Sequence, residues 1–392
     1  MSRGLGSMQK AILESLKSKD GRASTNILLQ NVEIQSGKKV IPVSFYRALR
    51  GLQDRGLVHW IKEHGGPNSP SGLVSITRTN VLLIDVDSTI GNLALMKISK
   101  FHKQQGHNVI LQRGIRITNT IDKPELIYIS CLFTWNAPQA RKLAKQFPDA
   151  EVHIGGSGVS LSTALPEEIE KITLPDYSLY PEANYNLMYL SRGCPRSCAF
   201  CSVPKMKYEG KPHPVGNIYD FWDKKTKKIV ILDNNILSLR GHFIRCARQI
   251  IHEKLKVEFH ALDIRFIDDE IAVLLKQMHI FEPKFAWDRI EDEYTVMKGI
   301  EILRRNGINR SIFYVLVGFD TTWEQDLHRV NRLRDMGQRV FLMIYDKEIL
   351  KDKRYHHLRV WCNARMFFAS VPFDEFVRSK PDFVHPPDPI ST

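Results

Sequence analysis

Long hydrophobic runs are missing from this chain of 392 residues. None approaches the roughly 20 apolar residues that a membrane-spanning helix needs. Met1–Ser7 has no apolar core of the kind found in signal peptides and reads as a flexible lead-in. Acidic residues are in short supply, 43 against 56 Lys and Arg, which leaves a formal net charge of +13. Cysteine is confined to six positions. Nothing in the sequence points to the oxidising compartment in which disulfides persist. These absences weigh against a membrane span and against a disulfide scaffold. What remains has the apolar and charged fractions of an ordinary globular chain, 43% and 25%, with length for two or three domains.

Three of the cysteines stand together in Ser191-Arg192-Gly193-Cys194-Pro195-Arg196-Ser197-Cys198-Ala199-Phe200-Cys201. The spacing is C-x3-C-x2-C. A cluster of four irons normally takes four thiolates, so three leave one iron without a protein ligand. Open metal positions belong to catalytic sites, closed ones to structural sites. A Cys3His zinc site completed by His213 is the alternative for the same residues. Cys131 and Cys246 read as small core residues, and Cys362 as structural.

The cysteine loop, with Phe200 just before its last cysteine, resembles the signature of the radical S-adenosylmethionine (SAM) superfamily. The resemblance runs from Tyr185 onward. It implies a [4Fe-4S] cluster on Cys194, Cys198 and Cys201, and SAM bound at the open iron. It also implies an electron donor such as a flavodoxin or ferredoxin, and reductive cleavage of SAM to a 5′-deoxyadenosyl radical. It implies no particular substrate.

The chain around the loop supports that reading independently. Six strands are expected at Leu187–Leu190, Ile229–Asp233, Glu258–Ile264, Lys284–Asp288, Ile312–Phe319 and Val340–Tyr345, with helices between them. This resembles the six-strand (βα)6 partial barrel of radical SAM enzymes. Parallel barrels carry their chemistry at the C-terminal strand ends. Asp233-Asn234-Asn235 falls there, as do Asp263, Arg265, Asp288, Gly318 and Tyr345. Where superfamily members carry Gly-Gly-Glu for the SAM ammonium, this chain has Asp233, Asn234 and Asn235. Arg265 offers a bidentate partner for a carboxylate and Asp288 an acceptor for ribose hydroxyls. Gly318 permits close backbone approach to an adenine, and Phe200 and Tyr345 offer faces for packing on it.

Ahead of the barrel, residues 80–175 alternate strand and helix as an open, Rossmann-like parallel sheet. Val81–Val86 reads as a buried strand, and Gly155-Gly156-Ser157-Gly158 as a turn at a C-terminal strand end, where such sheets bind ligands. The placement resembles the cobalamin-binding domain that precedes many radical SAM barrels, which implies cobalamin. The Asp-x-His-x-x-Gly pattern of that domain is replaced here by Asp85-Val86-Asp87-Ser88-Thr89-Ile90-Gly91, without histidine. A ligand-free domain is the alternative.

Residues 1–79 hold twelve Lys or Arg against five Asp or Glu, a net +7. Helices are expected at Gln9–Ser18, from Ser24 or Thr25 to about Gln30, and from Ser44 to a terminating Gly56, followed by a hairpin. The pattern resembles a winged helix-turn-helix domain. On the third helix Tyr46, Arg47, Arg50 and Gln53 would face a nucleic acid. Protein contact is the alternative use of such a head.

The sequence therefore predicts a cytoplasmic radical SAM enzyme of three parts, 1–79, 80–175 and 176–392, acting on an unidentified substrate, with nucleic acid as one class. The rival readings are a cobalamin-dependent methyltransferase and an iron–sulfur redox sensor that binds DNA.

Overall fold

The structure is a computed structural model that describes residues 5–379, apart from 20, 56, 65–70, 77–78, 119–120, 122 and 281. Gly56 and part of the hairpin loop therefore lie outside the described residues. The chain divides into two compact units, 1–160 with 165–179, and 161–164 with 180–392.

The first unit begins with α1 (Ser7–Lys17), β1 (Arg22–Ser24), α2 (Thr25–Ser36), α3 (Pro42–Gln53), β2 (Val58–His64) and β3 (Ser71–Ile76). The strands form an antiparallel sheet in the order β1-β3-β2. Helix α2 outruns its expected end at Gln30, because Gly37 supplies the left-handed residue (φ 63°) that closes it. Pro42 starts α3 two residues before the expected Ser44, as its missing N–H suits the first helical position. Ile12, Leu16, Leu28, Phe45 and Leu49 form the core of this part.

The same unit continues through β4 (Asn80–Asp85), α4 (Leu93–Gln104), β5 (Asn108–Arg113), β6 (Leu126–Ser130), α5 (Ala137–Ala144), β7 (Glu151–Gly155) and the short α6 (Glu167–Glu170). All four strands are parallel, in the order β5-β4-β6-β7. Val81, Leu82, Leu83 and Ile84 are fully buried, as a strand covered on both faces requires. The order reverses between β4 and β6, so their C-terminal ends flank the crevice where open sheets take ligands.

The second unit contains β8 (Asn186–Met188), β9 (Ser191–Arg192), β10 (His213–Pro214), α7 (Ile218–Phe221), β11 (Lys228–Ile231), α8 (Arg240–His252), β12 (Lys256–Phe259), α9 (Asp269–Gln277) and β13 (His279–Ile280). It continues with β14 (Lys284–Ala286), α10 (Glu293–Arg305), β15 (Ile312–Val317), α11 (Trp323–Asp335), β16 (Arg339–Ile344), α12 (Lys353–Asn363), α13 (Arg365–Ser370) and α14 (Phe373–Ser379). Its main strands make two parallel sheets, β13-β12-β11-β8 and β14-β15-β16. A backbone bond from Leu262 N–H to Lys284 O (3.0 Å) joins the segment after β12 to β14.

One buried ion pair fixes the ends of two of these strands. Arg329 and Asp326 on α11 are both fully buried. The Arg329 guanidinium donates to Trp287 O (2.6 Å) after β14 and to Leu316 O (2.7 Å) on β15. Asp326 accepts from Tyr355 (2.8 Å) and Thr321 (2.6 Å). A charge pair so enclosed is tolerated because nearly every polar atom has a partner.

Candidate functional site

The cysteine loop leaves β9 through Gly193, whose φ of +79° places it in the left-handed region. A Cβ at Gly193 would meet the Lys211 carbonyl and Gly210 O at 2.7 Å, so only glycine fits where the loop turns. Two carboxylates hold this entry. Asp233, after β11, accepts from Leu190 N–H (2.8 Å), from Ser191 N–H (2.7 Å) and from the Ser191 hydroxyl. Burial pushes its pKa up to about 7, against the pull of those donors. Glu209, only 3% exposed, accepts from Gly193 N–H (2.9 Å), Arg192 Nη1 (2.9 Å) and Asn234 Nδ2 (2.6 Å). The Arg192 guanidinium also lies 3.5 Å from the centre of the Tyr189 ring. Glu209 thus ties the residue before Cys194 to the end of β11.

The strand ends converge on the loop through side chains. Asn235 donates to Cys194 Sγ (3.6 Å) and to Asp263 Oδ2 (3.1 Å). Asn235 is 3% exposed, and its Oδ1 has no hydrogen-bond partner. Arg265 grips Asp263 with Nε and Nη2, each at 2.7 Å, and reaches Asp292 with Nη1 at 2.9 Å. From the loop itself, Arg196 comes within 3.7 Å of Asp292. Burial lowers the pKa of Arg196, but Cys198, Asp292 and Asp263 around it outweigh that and raise it. Burial pushes the carboxyls of Asp263 and Asp288 up to about 6. The Cys201 thiol is pushed up by burial, with Cys198, Cys194 and Asp288 acting in the same direction.

Aromatic rings complete the arc. Phe200 meets Phe319 edge-on at 5.7 Å, and Phe319 meets Tyr345 at 4.7 Å, so the loop touches the ends of β15 and β16. All three cysteines are free and half-buried. Cys362, on α12, is buried in the core and stays out of this network. Among the described residues no three His, Cys, Asp or Glu side chains gather about a single ion position. The imidazole of His213 is exposed and engages Lys211 O at 2.8 Å.

Several expected residues have other work here. Both oxygens of Asp233 and the amide of Asn234 are occupied by protein partners. The fork of Arg265 closes on Asp263 rather than lying open. Gly318 has φ +78°, but a Cβ there would meet Ile349 Cδ1 at 2.7 Å, so its missing side chain makes room for packing. Glu209, Arg192, Arg196, Asp292 and Phe319 were not anticipated.

In the first unit the glycine turn after β7 packs on its own neighbours. A Cβ on Gly156 (φ +98°) would meet Cys131 O at 2.2 Å, and one on Gly158 would meet the Phe133 backbone at 2.6 Å. Asp87, in the stretch that lacks histidine, accepts from Leu132 N–H (2.7 Å), Phe133 N–H (3.0 Å) and Asn136 (3.1 Å). The rim nevertheless exposes Leu132, Phe133 and Trp135, the two rings stacked at 4.7 Å.

On α3, Arg47, Arg50 and Gln53 are exposed, whereas Tyr46 is 2% exposed. The expectation that Tyr46 faces a nucleic acid is therefore corrected. Its ring stacks on Trp60 at 5.8 Å with a 12° interplanar angle, and the phenol belongs to the core.

No family model matches the chain. A stretch of 132 residues is 25% identical to ribosomal protein uS12 methylthiotransferase RimO of Christiangramia forsetii (strain DSM 17595 / CGMCC 1.15422 / KT0803). That stretch is 33% of this chain and spans only 28% of the relative's length. Among solved structures, the radical S-adenosylmethionine methyltransferase TsrM of Kitasatospora setae, determined with cobalamin and a [4Fe-4S] cluster bound, shares the fold with a TM-score of 0.55. The identity there is 13%, over 68% of this chain and 75% of that one. The chain thus carries three free cysteines at C-x3-C-x2-C spacing, joined by side chains to parallel strand ends, in a fold similar to that of a radical SAM methyltransferase.

Proposed function

We propose that Cys194, Cys198 and Cys201 hold a [4Fe-4S] cluster and that the strand ends around them hold SAM, within a six-strand partial barrel. The residues fit such a group. Three free thiols share one loop, and a buried acceptor, Asn235 Oδ1, is left without a partner beside Cys194. A buried acceptor lacking a donor costs about 1–3 kcal/mol, and an ammonium group would relieve it. That orphan atom is the observation that carries the reading. When bound, the cluster supplies one electron that splits SAM into methionine and a 5′-deoxyadenosyl radical.

The protein's own part is binding and orientation. Asn235 accepts from the ammonium. Arg196, with the Asp263–Arg265–Asp292 network behind it, provides positive charge for the carboxylate. Asp288 accepts from ribose hydroxyls, and Phe200, Phe319 and Tyr345 wall the adenine. Glu209 and Asp233 keep the loop entry rigid while these groups act. The head, as a winged helix, meets a polyanion through Arg47, Arg50 and Gln53.

Anaerobically reconstituted protein, given SAM and dithionite, is expected to release 5′-deoxyadenosine. Asn235→Leu is expected to raise the SAM requirement at least tenfold while retaining iron and sulfide. Wild-type protein that assembles the cluster and leaves SAM intact would overturn the proposal.

A cobalamin-dependent methyl transfer is a second reading. The exposed Leu132, Phe133 and Trp135 at the crevice of the parallel sheet favour it, as an apolar face for a corrin. The occupied Asp87 and the closely packed glycine turn weigh against it. We expect no tight binding of hydroxocobalamin. A corrin absorbance that co-elutes with the protein in gel filtration at one equivalent would establish the second reading instead.

A further inference from the structure

The segment that returns from the cysteine loop carries a charge pattern that the proposed cofactors leave unused. Between Ser202 and Asn217 the Lys, Arg, Asp and Glu residues are Lys205, Lys207, Glu209 and Lys211. Glu209 is buried and paired with Arg192, so it offers nothing to the surface. The three lysines are exposed, and none enters an ion pair among the described residues. The segment lies along the loop itself. The Gly210 and Lys211 carbonyls are what a Cβ on Gly193 would strike, at 2.7 Å. Tyr208, 37% exposed, has its ring centre 5.9 Å from the Arg192 guanidinium. Three exposed lysines and one accessible ring thus lie on the segment whose Gly210–Lys211 backbone packs against the residue before Cys194.

Resting on the reading above, we propose that this strip is where a polyanionic substrate, a single-stranded nucleic acid, crosses to the cysteine loop. Like charges held within seven residues repel one another, and a run of phosphates removes that repulsion. Lysines serve phosphates as flexible point charges. An exposed ring among them is what base stacking uses, and stacking is worth about 1–3 kcal/mol per base. A basic polypeptide would be repelled by the same lysines. An acidic one would satisfy them and leave the ring without a purpose.

The test uses the full chain with its cluster reconstituted. The probes are a fluorescein-labelled single-stranded RNA of mixed sequence and, as the competing class, labelled poly-glutamate. The triple variant K205Q/K207Q/K211Q is expected to lower the slope of log affinity against log salt by about 2, at about 0.7 per lost phosphate contact on a single strand. Tyr208→Ala is expected to weaken RNA binding at least fivefold with the slope unchanged. Iron and sulfide content, and SAM cleavage without substrate, should be the same in the triple variant and the wild type. A failure of this proposal is thereby distinguished from a failure of the radical SAM reading. Wild-type affinity and slope in the triple variant would overturn it. Binding of poly-glutamate in preference to RNA would also overturn it, and would assign the strip to an acidic polypeptide.

Discussion

Replacing Glu209 with alanine should damage the cysteine loop before any chemistry begins. The carboxylate is 3% exposed and accepts three hydrogen bonds, from Gly193, Arg192 and Asn234. Its loss takes the carboxylate partner from the Arg192 guanidinium, whose side chain is 14% exposed, and the acceptor from a buried backbone N–H. Removing one partner of a buried ion pair typically costs about 3–5 kcal/mol. Some of that is recovered here, since the Tyr189 ring lies 3.5 Å from the guanidinium. We take about 3 kcal/mol for the cluster-free protein. At about 2–4 °C per kcal/mol for a unit of this size, the melting midpoint of the second unit should fall by about 6–12 °C. Differential scanning calorimetry of the cluster-free variant measures it, and iron and sulfide assays after reconstitution show whether the loop still assembles. Glutamine at the same position keeps one acceptor and should lie between the wild type and alanine. An alanine variant with wild-type midpoint and full cluster content would refute the role given to Glu209.

Cys194→Ala, Cys198→Ala and Cys201→Ala should each abolish cluster assembly and SAM cleavage, read by iron and sulfide content and by 5′-deoxyadenosine. In the first unit, burial lowers the pKa of His102 from 6.5 to about 4, helped by His107 and His153, and its ring bonds to His107 (2.9 Å) and Tyr128 (3.1 Å). The folded state therefore prefers the neutral imidazole. The stabilisation is complete above about pH 6.5 and is lost as pH falls toward about 4, on the order of 1–2 kcal/mol after allowance for solvent screening. His102→Gln should flatten that part of the stability–pH curve in urea titrations. Tyr46→Ala should destabilise the head by about 3–5 kcal/mol through the lost ring contact with Trp60, whereas Arg47→Ala with Arg50→Ala should leave its stability unchanged. That double variant should weaken nucleic-acid binding and its salt dependence, measured by fluorescence anisotropy on the full chain.

The parts of the fold that were legible in the sequence are those in which local pattern and tertiary burial agree. Val81–Ile84 is apolar without interruption, and it lies between two parallel neighbours. The cysteine spacing and the polar residues after each strand of the second unit were legible for the same reason: strand ends are marked by where apolar runs stop. Tyr46 was misplaced because its hydroxyl reads as polar, while its ring widens the apolar arc of Phe45, Leu49 and Leu52 enough to reach Trp60. Glu209 was invisible because it lies in a loop without periodicity, and its partners are 16 to 25 residues away along the chain. Arg265 shows a different limit. Its fork geometry was legible, but sequence spacing alone did not tell the neighbouring Asp263 from a ligand carboxylate as the group it grips.

The central claim is that three cysteines hold a cluster with one iron open to SAM. Electron paramagnetic resonance of the anaerobically reconstituted, dithionite-reduced protein tests it most directly, on samples with about four irons and four sulfides per chain. Adding SAM should shift the g-values of the reduced cluster, because the cofactor ligates the open iron, and Asn235→Leu should require more SAM for the same shift. Stoichiometric zinc without sulfide, or a cluster signal that SAM leaves unchanged, would contradict the account.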